Sequence, residues 1–123
     1  KHDENNTAQI TTLKILLSSN NFDTTVYNDP RELLEAVEKH EYDLILMSSS
    51  ISQVDSIELI GIIKQFANEQ NKNIPIIALT VNKSREDLEA YRRAGFKDII
   101  KKPYTDEKLL NTIYKRLHLE KFL

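Results

Sequence analysis

The sequence predicts an α/β fold in which a parallel β-sheet is covered by helices on both faces. Segments with helical spacing of their apolar residues alternate along the chain with short β-prone runs, an order typical of a parallel sheet. The two strongest runs, residues 42–47 and 73–80, are almost continuously apolar. Such runs indicate strands that are buried on both faces.

The first half of the chain predicts two helices and two strands. Residues 5–19 have helical periodicity, and Asn20 and Asn21 end that helix. Residues 24–27 form a short β-prone run. Asp29 and Pro30 are a helix-starting pair, since aspartate caps the first turn and proline fits inside it. The strand at residues 42–47 follows that helix.

The second half repeats the pattern. Asp55 caps a helix whose buried face we assign to Leu59, Ile63 and Phe66. After the strand at 73–80, residues 84–94 form a polar helix that Gly95 closes. Residues 99–100 give a short strand and residues 105–117 the last helix. Helices outnumber strands by one, whereas such sheets normally open on a strand, so we expect most of a first strand to precede Lys1.

Composition excludes several classes of function. The chain has 123 residues, enough for one compact domain, and a net charge of −2 that favours neither nucleic acid nor an anionic membrane. It has no cysteine, which excludes disulfides and thiolate metal sites. No apolar run reaches membrane-spanning length and no signal-peptide pattern opens the chain. We therefore expect a cytoplasmic protein.

Four short motifs, each beside a strand end, carry a resemblance to a known family. They are "DEN" (3–5), "YDLILMS" (42–48), "PIIALT" (75–80) and "AGFKDIIKKPY" (94–104). Together they resemble the receiver domain of two-component response regulators across the whole chain. The resemblance implies a flavodoxin-like doubly wound sheet with strand order 2-1-3-4-5. It also implies a single domain, residues 1–123, that is a piece of a larger signalling protein.

The resemblance also assigns roles to single residues. Asp3 and Glu4 match the family's acidic pair, and Thr80 and Lys102 match residues of its phosphate pocket. The phospho-acceptor position, an aspartate in the family, holds Ser48 here. The aromatic switch position holds Ile99.

The loop after Ser48 departs from the family as well, because Ser52 and Ser56 replace its usual proline and glycine. The residues around the pocket therefore match the family, whereas the acceptor position at its centre does not.

The change at Ser48 alters the chemistry. An aspartate is ionised near pH 7 and attacks phosphorus directly, whereas a serine hydroxyl is weak without a nearby base. Two carboxylates in place of three also weaken Mg²⁺ binding. We expect no cofactor and weak or absent Mg²⁺ binding. Two alternatives stay open, in which Ser48 is a kinase target or a nucleophile with His2 or Glu4 as its base.

Structural roles remain open for the other matched residues. Asp3 serves equally as a helix cap, and Glu4 favours the first turn of that helix through the helix dipole. Lys102 neutralises the acidic pair, and Thr80 hydrogen-bonds locally.

These observations predict a degenerate receiver, a non-enzymatic interaction module that acts without aspartyl phosphorylation. Its expected partners are a histidine kinase or an output domain of a two-component pathway, and a homodimer is possible. We expect the domain itself to contact neither nucleic acid nor membrane. The predicted interaction surface consists of Tyr91, Lys97, Asp98, Lys101 and Tyr104.

Two rival functions remain. One is an active receiver that uses another acceptor, such as Asp55. The other is a flavodoxin-like domain that binds a small ligand or acts as an enzyme. The chain's two glycines, Gly61 and Gly95, make no phosphate-cradling loop and disfavour the second rival.

Overall fold

The fold is a three-stranded parallel sheet with helices packed against it, as the computed structural model of the protein shows. The structure describes residues 22–27, 29–48, 50–51, 54–81 and 84–117. Within them the sheet consists of β1 (Ile45–Ser48), β4 (Ile76–Thr80) and β5 (Asp98–Lys101), in the order β1-β4-β5. Two short strands, β2 (Ser50–Ile51) and β3 (Val54–Asp55), form an antiparallel pair.

Four α-helices complete the described part of the chain. They are α1 (Pro30–Lys39), α2 (Ser56–Phe66), α3 (Arg85–Ala94) and α4 (Asp106–Leu117), with a 3-10 turn at Glu69–Asn71. The predicted α/β class and parallel sheet are confirmed. The order β1-β4-β5 agrees with the last three strands of the predicted 2-1-3-4-5 order. Within the described ranges, no helix is long and apolar enough to span a lipid bilayer.

Side-chain caps fix where the helices begin. Asp29 accepts a hydrogen bond from the Arg31 N–H at 2.9 Å, directly before Pro30. Asp55 accepts from the Ile57 N–H at 3.0 Å, and so begins α2. Both caps were predicted from the sequence, because a capping oxygen satisfies a backbone donor that the first turn leaves unpaired.

The core lies on both faces of the sheet. One cluster of buried side chains lies between the sheet and α1, α2 and α3, and includes Val37, Met47, Ile60 and Ala78. A second cluster lies between the sheet and α4, and is formed by Ile77, Leu79, Ile100, Leu109 and Ile113. Alternate residues of β4 therefore face opposite layers, which explains why all five are buried.

Two predictions about elements differ from the structure. Residues 24–27 are not a strand. Their β-prone composition is a weak signal, because strand propensity depends strongly on context. Phe66 was predicted to be buried but is 48% exposed, because Ala67 takes the buried place at the end of α2. The predicted first helix, residues 5–19, also lies outside the described residues.

Candidate functional site

The candidate site lies at the carboxyl edge of the sheet, where the ends of all three strands meet. Ser48 is the last residue of β1 and lies opposite Leu79 in the register of the sheet. Thr80, the last residue of β4, lies opposite Lys101. The Lys102 N–H donates to the Thr80 carbonyl oxygen at 2.8 Å. The structure thus brings Ser48, Thr80 and Lys102 to one edge, whereas Asp3, Glu4 and Ser52 lie outside the described residues.

Ser48 is partly buried and makes no side-chain hydrogen bond within the described ranges. Ser48 lies two residues after Leu46 and therefore on the same face of β1. Leu46 packs against the cluster beneath α4. The Ser48 hydroxyl has no basic side chain as a hydrogen-bond partner among the residues described. The arrangement offers a neutral hydroxyl where nucleophilic attack on phosphorus requires an activated oxygen.

Thr80 is completely buried. Thr80 lies two residues after Ala78 and therefore on the same face of β4. That face is covered by α2 and α3 rather than by α4. The Oγ1 atom of Thr80 lies 3.4 Å from the hydroxyl of Tyr91, which is itself only 3% exposed. No sequence pattern indicated this contact, because the two residues are brought together only by the packing of α3 against β4.

The segment after β5 completes the edge. Ile99 lies opposite Ala78 and packs, partly buried, against the α2–α3 cluster. Lys102 and Pro103 are joined by a cis peptide bond. Burial, and to a smaller extent the Asp106 carboxylate, raise the pKa of Tyr104. Tyr104 itself packs, partly buried, against the cluster beneath α4.

The strands β2 and β3 follow Ser48 in the chain, and β3 leads directly into α2. Ser50 pairs with Asp55 across these two strands. Ser56, the first residue of α2, is fully buried, and its hydroxyl has no hydrogen-bond partner in the described part of the chain. Asp55 is exposed and its side-chain oxygen is engaged as the α2 cap. This structural role does not favour the rival in which Asp55 accepts a phosphoryl group.

The predicted interaction surface needs one correction. Tyr91 is buried in the core, because its ring fills the space between α3 and the sheet, so the prediction that it lies on the surface is wrong. Lys97 and Lys101 are exposed.

Asp98 is partly buried and paired with Arg116, a partner that the sequence did not indicate. Lys97 directly precedes β5 and Lys101 ends it, so these two exposed residues lie about 13 Å apart along the strand.

The described side chains at the sheet edge are poor ligands for a divalent cation. No group of three acidic or histidine side chains suitable for a metal occurs in the ranges that the structure describes. Ser48 and Thr80 contribute hydroxyls, and Lys102 contributes a cation. Mg²⁺ prefers carboxylates and waters in octahedral geometry, so among matched positions only Asp3 and Glu4 supply suitable charge.

A cavity lies on the surface of α1, and no residue of the strand ends lines it. It has a volume of about 220 Å³ and is lined by Tyr27, Glu32, Glu35, Ala36, Lys39 and His40. An ion pair between Lys39 and Glu35, 3.1 Å long, spans its wall. Its lining carries both acidic and basic side chains, so it does not attract a phosphate. The cavity therefore does not favour the alternative function of a flavodoxin-like domain that binds a small ligand.

Comparison with known proteins agrees with this geometry. The family profile of the response regulator receiver domain matches residues 3–114. Transcription factor SKN7 of Saccharomyces cerevisiae is 34% identical over 92 residues, which is 75% of this chain but 14% of SKN7. The response regulator DivK of Brucella ovis is 27% identical over 110 residues, covering 89% of this chain and 88% of DivK.

Solved structures show the same fold. The receiver domain of the sensor histidine kinase PA1611 from Pseudomonas aeruginosa PAO1 superimposes with a TM-score of 0.79 at 26% identity. The superposition covers 90% of this chain and 89% of that one, and that structure has a magnesium ion coordinated in its active site cleft. The chain spans only 14% of the length of SKN7 and of the sensor kinase/phosphatase CqsS of Vibrio cholerae.

Proposed function

Since the chain belongs to the response regulator receiver domain family, we propose that it is a degenerate receiver that works without a phosphoaspartate. In this proposal Ser48 occupies the acceptor position and forms no acyl phosphate. The domain is not an enzyme in its own right. It transmits a signal through protein contacts in the cytoplasm.

The observation that carries the proposal is the position of Ser48. It ends β1 beside Leu79, at the edge that also holds Thr80 and Lys102. A carboxylate there is ionised at neutral pH and attacks phosphorus without a base. A hydroxyl needs a base to take its proton, and none bonds to it among the described residues. The change from carboxylate to hydroxyl therefore removes the group that attacks phosphorus unaided.

The same change weakens metal binding. Receiver chemistry uses Mg²⁺ to neutralise the phosphoryl oxygens. Asp3 and Glu4 are the residues that would hold the ion here, without the third carboxylate at position 48. We therefore propose that Mg²⁺ binds weakly or not at all at physiological concentrations.

The proposed partners are proteins of a two-component pathway. Relatives that share the domain include a sensor kinase/phosphatase, a hybrid histidine kinase of Dictyostelium discoideum and a transcription factor. In these the matched region is a small part of a longer protein. We propose that this domain likewise belongs to a larger signalling protein and contacts a histidine kinase or an output domain.

The contact surface that we propose, with homodimerisation as one possible use, runs along β5. It comprises Lys97, Asp98, Lys101 and Tyr104.

Calorimetric titration with Mg²⁺ tests this proposal, with Ser48→Asp as the matched variant. We expect little specific heat for the wild-type chain at millimolar Mg²⁺. We expect measurable one-to-one binding for Ser48→Asp, which restores a third carboxylate. Micromolar, one-to-one binding by the wild-type chain contradicts the proposal.

A further inference from the structure

We propose that the cavity on α1 is a docking pocket for an arginine side chain, presented by a basic segment of a partner protein. The cavity lies within a strongly acidic stretch of the chain, and its charged lining residues are Glu32, Glu35 and Lys39. The assignment involves neither Ser48 nor the strand ends. It therefore holds or fails separately from the proposed function.

The surface around the cavity is acidic although the whole chain is almost neutral. Residues 29–43 carry six acidic and two basic side chains, whereas residues 84–117 carry nine basic and six acidic ones. Within the acidic stretch, glutamates recur every three residues from Glu32 to Glu41, and all four are exposed. A surface of this kind attracts a positively charged segment and repels nucleic acid.

The charged groups that line the cavity leave one carboxylate without a partner. Lys39 Nζ lies 3.1 Å from Glu35 Oε2, so these two charges compensate each other. Glu32 makes no ion pair or side-chain hydrogen bond within the described ranges. With His40 neutral, the lining has two carboxylates and one ammonium, a formal charge of −1. The cavity therefore favours a cation, and Glu32 is the group that pairs with it.

An aromatic ring gives the pocket a preference for a guanidinium group. Tyr27 lines the cavity, and its hydroxyl lies 2.9 Å from that of Tyr42. This hydrogen bond holds the Tyr27 side chain in place before a ligand binds. Arginine suits a ring and a carboxylate better than lysine does, because its planar guanidinium stacks on aromatic faces and forms paired hydrogen bonds with carboxylates.

The dimensions of the cavity fit a single side chain. Its volume of about 220 Å³ lies below the range of about 300–1,000 Å³ for sites that take drug-sized molecules. Ala36 is the one buried residue of its lining, so the cavity is open to solvent. The carbonyl oxygens of Val37 and His40 at the end of α1 already accept from Asn71. Side chains, rather than the end of the helix, therefore bind the cation.

Other cations fit this surface less well than a protein segment does. A divalent metal is disfavoured, because no group of three acidic or histidine side chains suited to one occurs in the described part of the chain. A small amine occupies only the cavity, whereas the acidic stretch continues beyond it to Glu38, Glu41 and Asp43. The surface therefore matches a segment with several positive charges, one of which enters the cavity.

Titration of the full 123-residue chain with a hexa-arginine peptide, followed by NMR, tests the proposal. We expect the α1 amides and the Tyr27 ring protons to shift, with binding that weakens as the salt concentration rises. A hexalysine peptide should bind more weakly, and a hexaglutamate peptide should not bind. Three results overturn the assignment: equal binding of the arginine and lysine peptides, binding of hexaglutamate, and shifts confined to other parts of the chain.

Glu32→Gln and Glu38→Gln form a matched pair, because both remove one exposed charge from α1 and only Glu32 lines the cavity. We expect Glu32→Gln to weaken hexa-arginine binding about three- to fivefold, the scale of one partly exposed ion pair, and Glu38→Gln to weaken it less than about twofold. Equal losses indicate a diffuse electrostatic contact without a pocket and overturn the proposal. Tyr27→Leu should remove the preference for arginine over lysine, and an unchanged preference overturns the role of the ring.

A second copy of the chain is the other occupant to test, because the basic residues 84–117 of one copy complement the acidic residues 29–43 of another. Sedimentation velocity of the chain alone at low salt distinguishes the two occupants. We expect Glu32→Gln to leave the sedimentation coefficient unchanged. A dimer that Glu32→Gln dissociates means that a second copy fills the cavity, and this result overturns the proposal.

Discussion

The side-chain amide nitrogen of Asn71 lies 2.7 Å from the carbonyl oxygen of Val37, and thereby joins the 3-10 turn to the end of α1. The same nitrogen donates to the His40 carbonyl at 2.6 Å, while Asn71 Oδ1 accepts from the Tyr42 N–H at 2.9 Å. One buried side chain therefore satisfies two carbonyls at the end of α1 and a donor just before β1. Asn68 supports the same two carbonyls, since its N–H donates to the Val37 oxygen at 3.2 Å and its Nδ2 donates to the His40 oxygen at 3.1 Å.

Replacing Asn71 is expected to be costly. Asn71→Ala removes three hydrogen bonds of a buried side chain and takes the acceptor from the Tyr42 N–H, so it should destabilise the domain by about 2–4 kcal/mol. Asn71→Asp should also destabilise it, because a carboxylate oxygen then faces the carbonyls of Val37 and His40. Urea unfolding measures both changes. Asn73→Ala, at an exposed position two residues away, is the control and should change stability by less than about 0.5 kcal/mol. Equal effects at positions 71 and 73 contradict this interpretation.

Two serines at helix starts should respond in opposite directions to alanine. Ser56 is buried with an unpaired hydroxyl among the described residues, so Ser56→Ala should stabilise the domain by about 0.5–1.5 kcal/mol. Ser84 caps α3 by accepting from the Asp87 N–H at 3.1 Å, so Ser84→Ala should destabilise it by about 0.5–2 kcal/mol. Thermal unfolding of the two variants tests the pair. A destabilised Ser56→Ala protein shows that its hydroxyl is satisfied after all.

The two glycines form a second matched pair. Gly61 lies inside α2, and no atom lies within 4 Å of the place that an alanine methyl group would occupy, so Gly61→Ala should stabilise by about 0.5–1 kcal/mol. Gly95 has a φ of 118°, and a methyl group there collides with the Lys64 ammonium and lies 3.2 Å from its Cε. Gly95→Ala should therefore destabilise by about 1–2 kcal/mol. Denaturant midpoints decide the signs, and a stabilised Gly95→Ala variant contradicts the structure at this turn.

Tyr42 predicts a specific response to alkaline pH. Burial, together with a hydrogen bond to the Tyr27 hydroxyl at 2.9 Å, raises the pKa of Tyr42 to about 12. The folded protein then holds this proton above the usual pKa of about 10, so unfolding releases it. The stabilising contribution is complete below about pH 10 and is lost as the pH rises towards 12.

The comparison with Tyr42→Phe isolates this contribution. Wild-type stability should fall more steeply than that of Tyr42→Phe above about pH 10, since lysines titrate equally in both proteins. Urea unfolding at a series of alkaline pH values measures the two slopes. Identical slopes show that the Tyr42 phenol titrates normally in the folded state.

What the sequence predicted correctly was encoded locally. Asp29, Asp55 and Gly95 act on their own helix ends, so residue type and spacing are sufficient to place them. Continuous apolar runs likewise predicted β1 and β4, because strands that are covered on both faces need little else. The resemblance to the receiver family then identified the site positions at or beside the ends of these strands, namely Ser48, Thr80 and Lys102.

What the sequence missed depends on contacts between distant segments. Asn71 looks like an ordinary turn residue until α1 packs beside it. Tyr91 has the spacing of a helix anchor, but nothing in the sequence shows that its hydroxyl reaches Thr80. Residues 24–27 have strand propensity but no strand structure, since β-propensity depends strongly on context.

The central claim is that Ser48 removes phosphoryl acceptance from an otherwise recognisable receiver site. Its most direct test is the intact mass of wild type and Ser48→Asp after incubation with acetyl phosphate and Mg²⁺. We expect Ser48→Asp to gain one phosphoryl group, and to gain less when Lys102 is also changed to alanine, because the ammonium pairs with phosphoryl oxygens. We expect wild type to remain unmodified. A phosphoryl group on the wild-type chain contradicts the account, and its absence from Ser48→Asp shows that the site has lost more than its nucleophile.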